Sequence, residues 1–389
     1  MYLTNYNIFV IITYVFKAFK FRINPNEAQK VLLQKHFGCT RFIYNWALAT
    51  KTQAYKTENV NISRFELQAK LPEMKKGDYQ WLKEVNSLSL QATLEHLDKA
   101  YTKFFREKKG YPNFKSKKTN RHSFSVPQST KVDFENNKLF IPKFKEGIKC
   151  IFHRKFSGKI KTCTVSQTPT GKYYISILVE IDELPQKKKP ISEKQAIAFD
   201  LGIKSFLVAS NQDVIENPKY LKTSLFKLKK VQRRLSKKVK GSSNRNKARL
   251  KVALLHEKIT NQRHDFLHKL TYKYVSNNQY NTFCMEDLAV SNMVKNHCLA
   301  QSISDVSWSS FVEYLTYKAE WLGKNILKIG RWEASSKTCS NCGTIKKDLK
   351  LSDRIFKCDS CKVELDRDYN AALNIKDMAF QKQNLIGIL

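Results

Sequence analysis

Acidic residues are scarce in this 389-residue chain: 34 Asp and Glu stand against 70 Lys and Arg, for a formal net charge of +36. Self-repulsion at that level destabilises a compact monomer unless a polyanion neutralises it. Nucleic acid fits best, because Lys and Arg release counterions when they replace them along a phosphate backbone. A membrane-spanning apolar run is missing as well. Ile8 to Phe16, broken by Thr13, is too short for a bilayer. It also lacks the cationic start and small-residue cleavage site of a signal peptide. Residues 1–16 therefore read as an apolar extension, either an added strand or the product of a start placed upstream. A disulfide framework is absent too. The nine cysteines are odd in number, and Cys39, Cys150, Cys163, Cys284 and Cys298 share no spacing, which suits a reducing compartment. What remains, 42% apolar residues over this length, is enough to fold two or three units.

The pattern changes along the chain. Asn24-Pro25-Asn26-Glu27 predicts a helix start, with an Asn cap, Pro in the first turn and Glu at the third position. Gly38 is expected to end that helix. A second helix should follow, with Phe42, Ile43, Trp46 and Ala49 as its stripe, and Leu90, Leu94, Leu97, Tyr101 and Phe104 mark another. A basic connector with interleaved aromatics then runs to Arg121. From about 123 to 183 the period falls to two, with turns at Asn136-Asn137 and at Thr168 to Lys172, as in a small sheet or barrel. Lys187-Lys188-Lys189-Pro190 reads as a hinge or linker. Apolar strands are expected at Ala196 to Asp200 and Ser205 to Ser210. From Lys219 to Lys251 there are fourteen Lys or Arg and no acid, on two predicted helices joined at Gly241-Ser242-Ser243. A charged run is commonly a solvated helix face, but one sign alone along an apolar seam calls for a counter-anion.

Two motifs carry chemistry. Cys339-x-x-Cys342 and Cys358-x-x-Cys361 are separated by fifteen residues, and Gly343 allows the first tight turn. Two such knuckles place four thiolates around one Zn²⁺, filling every position with protein, so this metal is structural. The second motif is a set of acids. Asp200 ends the strand Ala196-Ile197-Ala198-Phe199, Glu286 ends Thr282-Phe283-Cys284-Met285, and Asp368 opens a terminal helix. Singly, each also reads as a turn residue, a cap or a dipole partner. Together they suit phosphodiester hydrolysis, in which carboxylates converge on two hard divalent cations roughly 3.5–4 Å apart.

Several segments occur in a set order along the chain: Lys17 to Arg22, Phe37 to Trp46 and Tyr111 to Lys117, then Phe199-Asp200-Leu201-Gly202, Asn261 to Phe266 and Met285-Glu286-Asp287-Leu288. Ser336 to Gly343 and Asp366-Arg367-Asp368-Tyr369-Asn370-Ala371-Ala372 complete the set. That ordered set resembles the TnpB family of transposon-encoded nucleases, relatives of the type V CRISPR effectors. The resemblance covers about Lys17 to Ile375. This chain departs from the pattern in its apolar N-terminus and at Ala198, where Gly is more usual.

The resemblance implies an α+β multidomain protein: an N-terminal helical recognition unit with a small β-barrel, and a C-terminal RNase H-like (RuvC) α/β domain with an inserted zinc ribbon. The expected bounds are 17–190 for the helical unit (about 24–122), barrel (about 17–23 and 123–183) and linker. The nuclease follows at 191–334 and 366–389, with the ribbon at 335–365. It implies an RNA-guided DNA endonuclease in the cytoplasm of a prokaryotic host, associated with the nucleoid and with no membrane partner. Its partners would be a guide RNA from the transposon end and a double-stranded DNA target beside a short motif read by protein. Asp200, Glu286 and Asp368 become the catalytic acids holding two Mg²⁺ (or Mn²⁺). Asp368 is preferred over Asp366 because it directly precedes the x-Asn-Ala-Ala turn, and Asp366 stays a candidate support behind it. Guide contacts are expected from Lys108, Lys109, Tyr111, Phe114, Lys115 and Lys117, and from Lys229, Lys230, Arg233, Arg234, Lys237 and Lys238, although Tyr111 and Phe114 also suit packing on the barrel. The alternative is a catalytically silent repressor or transposition accessory protein. A strand-transferring transposase is disfavoured, since the eight histidines form no His-x-His pair.

Overall fold

The computed structural model describes residues 15–119, 122–181, 186–350 and 352–386. Most of the apolar N-terminal run lies outside them. The chain divides into two units, residues 1–184 and 185–389. No helix among the described residues is long and apolar enough to cross a membrane.

The first unit opens with β1 (Val15–Asn24), whose Phe19, Phe21 and Ile23 alternate inward between Lys20 and Arg22. Helices α1 (Glu27–Glu58), α2 (Arg64–Ala69), α3 (Leu71–Lys76) and α4 (Ser87–Glu107) follow. Strands β2 (His122–Val126), β3 (Lys131–Asp133), β4 (Lys138–Phe140), β5 (Ile148–Ile151), β6 (Lys159–Gln167) and β7 (Tyr173–Ile181) complete it. All seven strands form one antiparallel sheet in the order β2-β6-β7-β1-β5-β4-β3. No described pairing joins β2 to β3, so hydrogen bonds leave the expected barrel open. Its enclosure comes instead from side chains: Phe21, Phe124, Leu139, Ile148, Val165 and Ile177, from six strands, share one core.

Two expectations for α1 need correction. Its cap is Asn26, two residues later than Asn24, and Gln29 closes a reciprocal capping box with it. The helix also does not end at Gly38 but continues unbroken to Glu58. A mid-helix glycine costs only about 1 kcal/mol, and apolar burial on both sides exceeds that. Leu33 and Phe37 enter the sheet core, while Ile43, Ala47 and Leu48 enter the helical core with Leu82, Leu90 and Leu94. One continuous helix thus serves two cores.

The second unit begins with β8 (Ala196–Leu201), β9 (Ser205–Ala209) and β10 (Val214–Glu216). Two basic helices, α5 (Tyr220–Ser236) and α6 (Ser243–Ser276), lead to β11 (Thr282–Glu286). Then come α7 (Val290–Met293), α8 (Ala300–Val306), α9 (Trp308–Trp321) and β12 (Asn325–Ile329). The chain closes with β13 (Ile355–Lys357), β14 (Glu364–Asp366) and α10 (Arg367–Ile386). The five-stranded sheet runs β10-β9-β8-β11-β12, antiparallel through β8 and parallel from β8 to β12.

Alternation assigns the two faces of this sheet. Ile197, Phe199, Phe283 and Met285 pack on one side with Leu270 and Tyr274 of α6 and Phe311 and Leu315 of α9. Ala196, Ala198 and Cys284 pack on the other with Ile375 and Ala379 of α10. Small residues on both sides of that second layer, including buried Ala371 and Ala372, let the last helix approach the strands closely. The Lys187 to Pro190 stretch is bonded to other residues of the second unit. Lys189 N donates to Gly323 O at 2.8 Å, and Asn325 and Asn281 amides donate to the carbonyls of Lys189 and Pro190 at 2.9 Å each.

Candidate active site and metal centre

Strand register places the first two acids side by side. In the parallel pair β8–β11, Ala198 lies opposite Cys284 and Phe199 opposite Met285, so Asp200 comes level with Glu286 one step on. By alternation both carboxylates leave on the face that carries Ala198 and Cys284, the face covered by α10. Strand spacing sets them about 5 Å apart at Cα. The third acid arrives with α10, whose first turn holds Asp368.

The electrostatics report that convergence. Burial, with Asp368 and Glu286 beside it, pushes Asp200 up to about 8, and Arg367 pulls against this. Burial also raises Glu286, opposed by a 2.5 Å hydrogen bond donated from Ser335 Oγ to its Oε1. Asp368 accepts from Arg367 through Nε at 3.1 Å and Nη2 at 2.8 Å, and Arg354 stands 3.9 Å from its other oxygen. Asp200 is thus a carboxylate short of countercharge among hard oxygen donors, and that donor set fits a divalent cation. The acids are looser than a single-ion cage: among the described residues, only the four cysteines form a group of three or more ligand atoms all within 4.8 Å of one another.

Asp366 and Asp368 separate by their partners. Asp366 Oδ1 accepts from the backbone amides of Asp368 at 2.9 Å and Tyr369 at 3.0 Å, which makes it the cap of α10. Asp366 thus caps the helix, while the Asp368 carboxylate pairs with Arg367.

The four cysteines are all reduced. Cys339 Sγ lies 3.6 Å from Cys361 Sγ, and Cys342 Sγ lies 3.5 Å from Cys358 Sγ. Tetrahedral Zn²⁺ with bonds of about 2.3 Å needs sulfur separations of about 3.8 Å, so the residues fit the ion. Thr344, hydrogen-bonded to Cys342, holds that thiol down to about 6. The two knuckles repeat one geometry. Gly343 N bonds Cys339 O at 2.9 Å and Lys362 N bonds Cys358 O at 3.1 Å, with φ of 75° and 62°. The second left-handed position is a lysine, which the composition of the motif does not reveal.

A clamp that sequence reasoning missed ties the ribbon to the acids. Asn370 and Asn374, one turn apart on α10 and buried, both donate to Thr338 O, at 2.7 and 2.6 Å. Asn374 also donates to Ser335 O at 2.7 Å, and Asn370 Oδ1 accepts from Ser340 N at 3.0 Å. Ser335, itself 3% exposed, then reaches Glu286. The one signal available in advance was the i, i+4 spacing of the two asparagines on a helix face.

The predicted nucleic-acid contacts divide. Lys229, Lys230, Arg233, Arg234, Lys237 and Lys238 are all exposed along or just beyond α5, whose Leu228 packs on Leu255 and Ile259 of α6. In the connector Lys108, Lys109 and Lys117 are exposed and Phe114 is 63% exposed. Tyr111 is engaged by the helices: it meets Tyr101 and Phe104 edge-on and its hydroxyl lies 3.0 Å from both Thr52 and Tyr101. Lys115 sets its ammonium 3.9 Å from the centre of the Tyr44 ring, and its backbone pairs with the Asn45 amide.

A family model described as "Probable transposase" (OrfB of IS605) matches residues 176–297, and a Cas12f1-like TNB domain matches 308–375. A protein of Streptomyces pristinaespiralis named "Putative RNA-guided DNA endonuclease" is 39% identical over 362 residues, covering 92% of this chain and 88% of that protein. The chain belongs to the TnpB family. An Escherichia coli K12 member under the same description, InsQ, is 33% identical, with 92% of this chain and 91% of that one covered. The family's helix-turn-helix model matches residues 15–59, which here form β1 and the unbroken α1. Among solved structures, the Cas12f1–sgRNA–target DNA complex matches in fold with a TM-score of 0.57 at 15% identity, over 93% of this chain and 99% of that one.

Proposed function

We propose that this TnpB-family chain is an RNA-guided DNA endonuclease of a transposable element, with Asp200, Glu286 and Asp368 as its catalytic acids. The observation that carries the reading is their convergence from β8, β11 and α10 on one face, in a chain of net charge +36. The relatives bearing the name RNA-guided DNA endonuclease support the activity. A guide RNA from the transposon end and a DNA target beside a short protein-read motif are the partners this activity requires. Asp200, Glu286 and Asp368 would hold two Mg²⁺ or Mn²⁺ ions, which would supply activation of water and stabilisation of the leaving oxygen. The chain's own residues prepare for this. β8 and β11 fix two carboxylates on rigid backbone, Ser335 orients the second, and Arg367 orients the third. The exposed cations of α5 draw in a backbone that the acids alone would repel.

The test begins with sequencing RNA that co-purifies with the chain from cells carrying its flanking DNA. One discrete RNA with a variable end is expected, and it provides the guide for a Mg²⁺-dependent cleavage assay. Asp200→Ala, Glu286→Ala and Asp368→Ala should each lower cutting by at least about a hundredfold, the scale on which loss of one charge-stabilising group acts, with RNA binding nearly unchanged. Equal loss of cutting and RNA binding would sink the assignment, and tight target binding without products by the native chain would favour the silent repressor.

A further inference from the structure

Between β12 and the ribbon lies a short loop whose tip is Trp332. That indole is 96% exposed, more than any other large apolar side chain among the described residues. The loop is pinned on both sides of it. Arg331 donates from Nε to Asp287 Oδ2 at 2.9 Å and to Asp287 O at 3.2 Å, with Nη2 also 2.8 Å from Oδ2. Glu333 Oε1 accepts from Gly330 N at 2.8 Å, and Glu333 O accepts from Ser335 N at 2.9 Å. The anchors are therefore Asp287, next in sequence to Glu286, and Ser335, bonded to Glu286. A large apolar ring is held out in water by a loop anchored at Asp287 and Ser335. Folding gains nothing from that exposure, since burial of the ring would be favourable.

We infer that Trp332 is a stacking platform for an unpaired base of the DNA strand at the cutting site. The inference rests on the nuclease reading above. An aromatic face accepts any base, because each presents a π-surface. That tolerance suits an enzyme whose target sequence is set by its guide and differs from one guide to the next. The base must be unpaired and unstacked on one side, because in a duplex both faces are covered by neighbours. A base held on the indole fixes the adjoining phosphate against the acids, which serves positioning.

The experiment uses the full chain with its guide RNA and zinc, on cognate DNA, in two readouts. In single-turnover cleavage Trp332→Ala should be slower by at least about tenfold, in line with base–aromatic stacking, and Trp332→Phe should recover most of the rate. RNA binding and zinc content should stay native in both. In complexes that keep zinc but lack Mg²⁺ and Mn²⁺, 2-aminopurine is placed at successive positions of each strand across the target. Native protein should quench it at one position, and Trp332→Ala should abolish that quench. An unchanged rate and unchanged quenching in Trp332→Ala would overturn the platform while leaving the nuclease reading intact. Native complexes that show a Trp332-dependent quench but never cut would uphold the platform and overturn the nuclease reading.

Discussion

His36 has no exposed surface, and its ring is committed at both nitrogens. Nδ1 lies 2.8 Å from Leu32 O and so carries the proton, while Nε2 accepts from the Asn86 amide at 3.1 Å. The ring also stacks on Phe124 at 4.7 Å. Burial, aided by Lys143, lowers its pKa from 6.5. A second proton would point one N–H at another. The folded state therefore stays neutral where the unfolded chain takes up a proton, at about pH 6.5 and below. Because the unfolded state binds more protons there, stability falls as pH drops through that value. His36→Gln, which can keep one donor and one acceptor, should weaken this dependence just below about pH 6.5, by no more than the one-proton limit of about 1.4 kcal/mol per pH unit, although it lowers stability at pH 7. Denaturant midpoints of both proteins just below about pH 6.5 check it, and equal slopes would refute it. The candidate acids show how far placement could be read beforehand. Apolar runs ending in Asp200 and Glu286 marked the two strand ends that the register sets level. Asp366 and Asp368 are the same chemical group two positions apart, and only the backbone amides accepted by Asp366 tell them apart. Ser335 and Ser336 are likewise equal in sequence, and the hydrogen bond to Glu286 singles out the first.

Elements were legible where periodicity was uninterrupted and misjudged where one residue was given too much weight. Gly38 is such a residue, since its conformational freedom invited a helix end that packing overruled. The α5–α6 pair was readable from its leucine seam and the Gly241 turn, but what fixes the start of α5 was not. Asp305, on α8, accepts from Leu221 N at 3.0 Å and Lys222 N at 3.2 Å, so a carboxylate more than eighty residues away caps the helix. Arg263 of α6 pairs with the same group, Nη2 at 2.7 Å and Nε at 3.0 Å from Oδ1, and both side chains are mostly buried. Sequence spacing carries no trace of a contact at that separation. Asp305→Ala leaves a guanidinium and two amides without their acceptor, and should destabilise the second unit by about 3 kcal/mol. Asp305→Asn, which keeps an acceptor but no charge, should cost less. The check is the denaturant midpoint of that unit's transition, and a loss below about 0.5 kcal/mol would show that the cap is not needed.

At the scale of the whole molecule, the zinc ribbon reaches into the site through hydrogen bonds and through the Arg354–Asp368 ion pair. Asn370 and Asn374 hold the Thr338 carbonyl just before the first knuckle, and the carbonyl of Ser335 shares the same clamp. Without the ion, four thiols within 4.8 Å of one another lose the charge that gathers them, and the ribbon's core of Cys339, Phe356 and Cys358 is too small to fold by itself. The loop then slackens, and with it the hydroxyl that orients Glu286. The first unit contains none of these residues, and its sheet and helical cores draw on residues before 182. Removal of zinc by a zinc-selective chelator under reducing, Mg²⁺-replete conditions should therefore abolish cutting while the first unit's unfolding transition stays in place. Zn²⁺, and not additional Mg²⁺, should restore activity. Release of one zinc per chain with native cutting rates would break the link between ribbon and acids, and would leave Glu286 to be oriented by β11 alone.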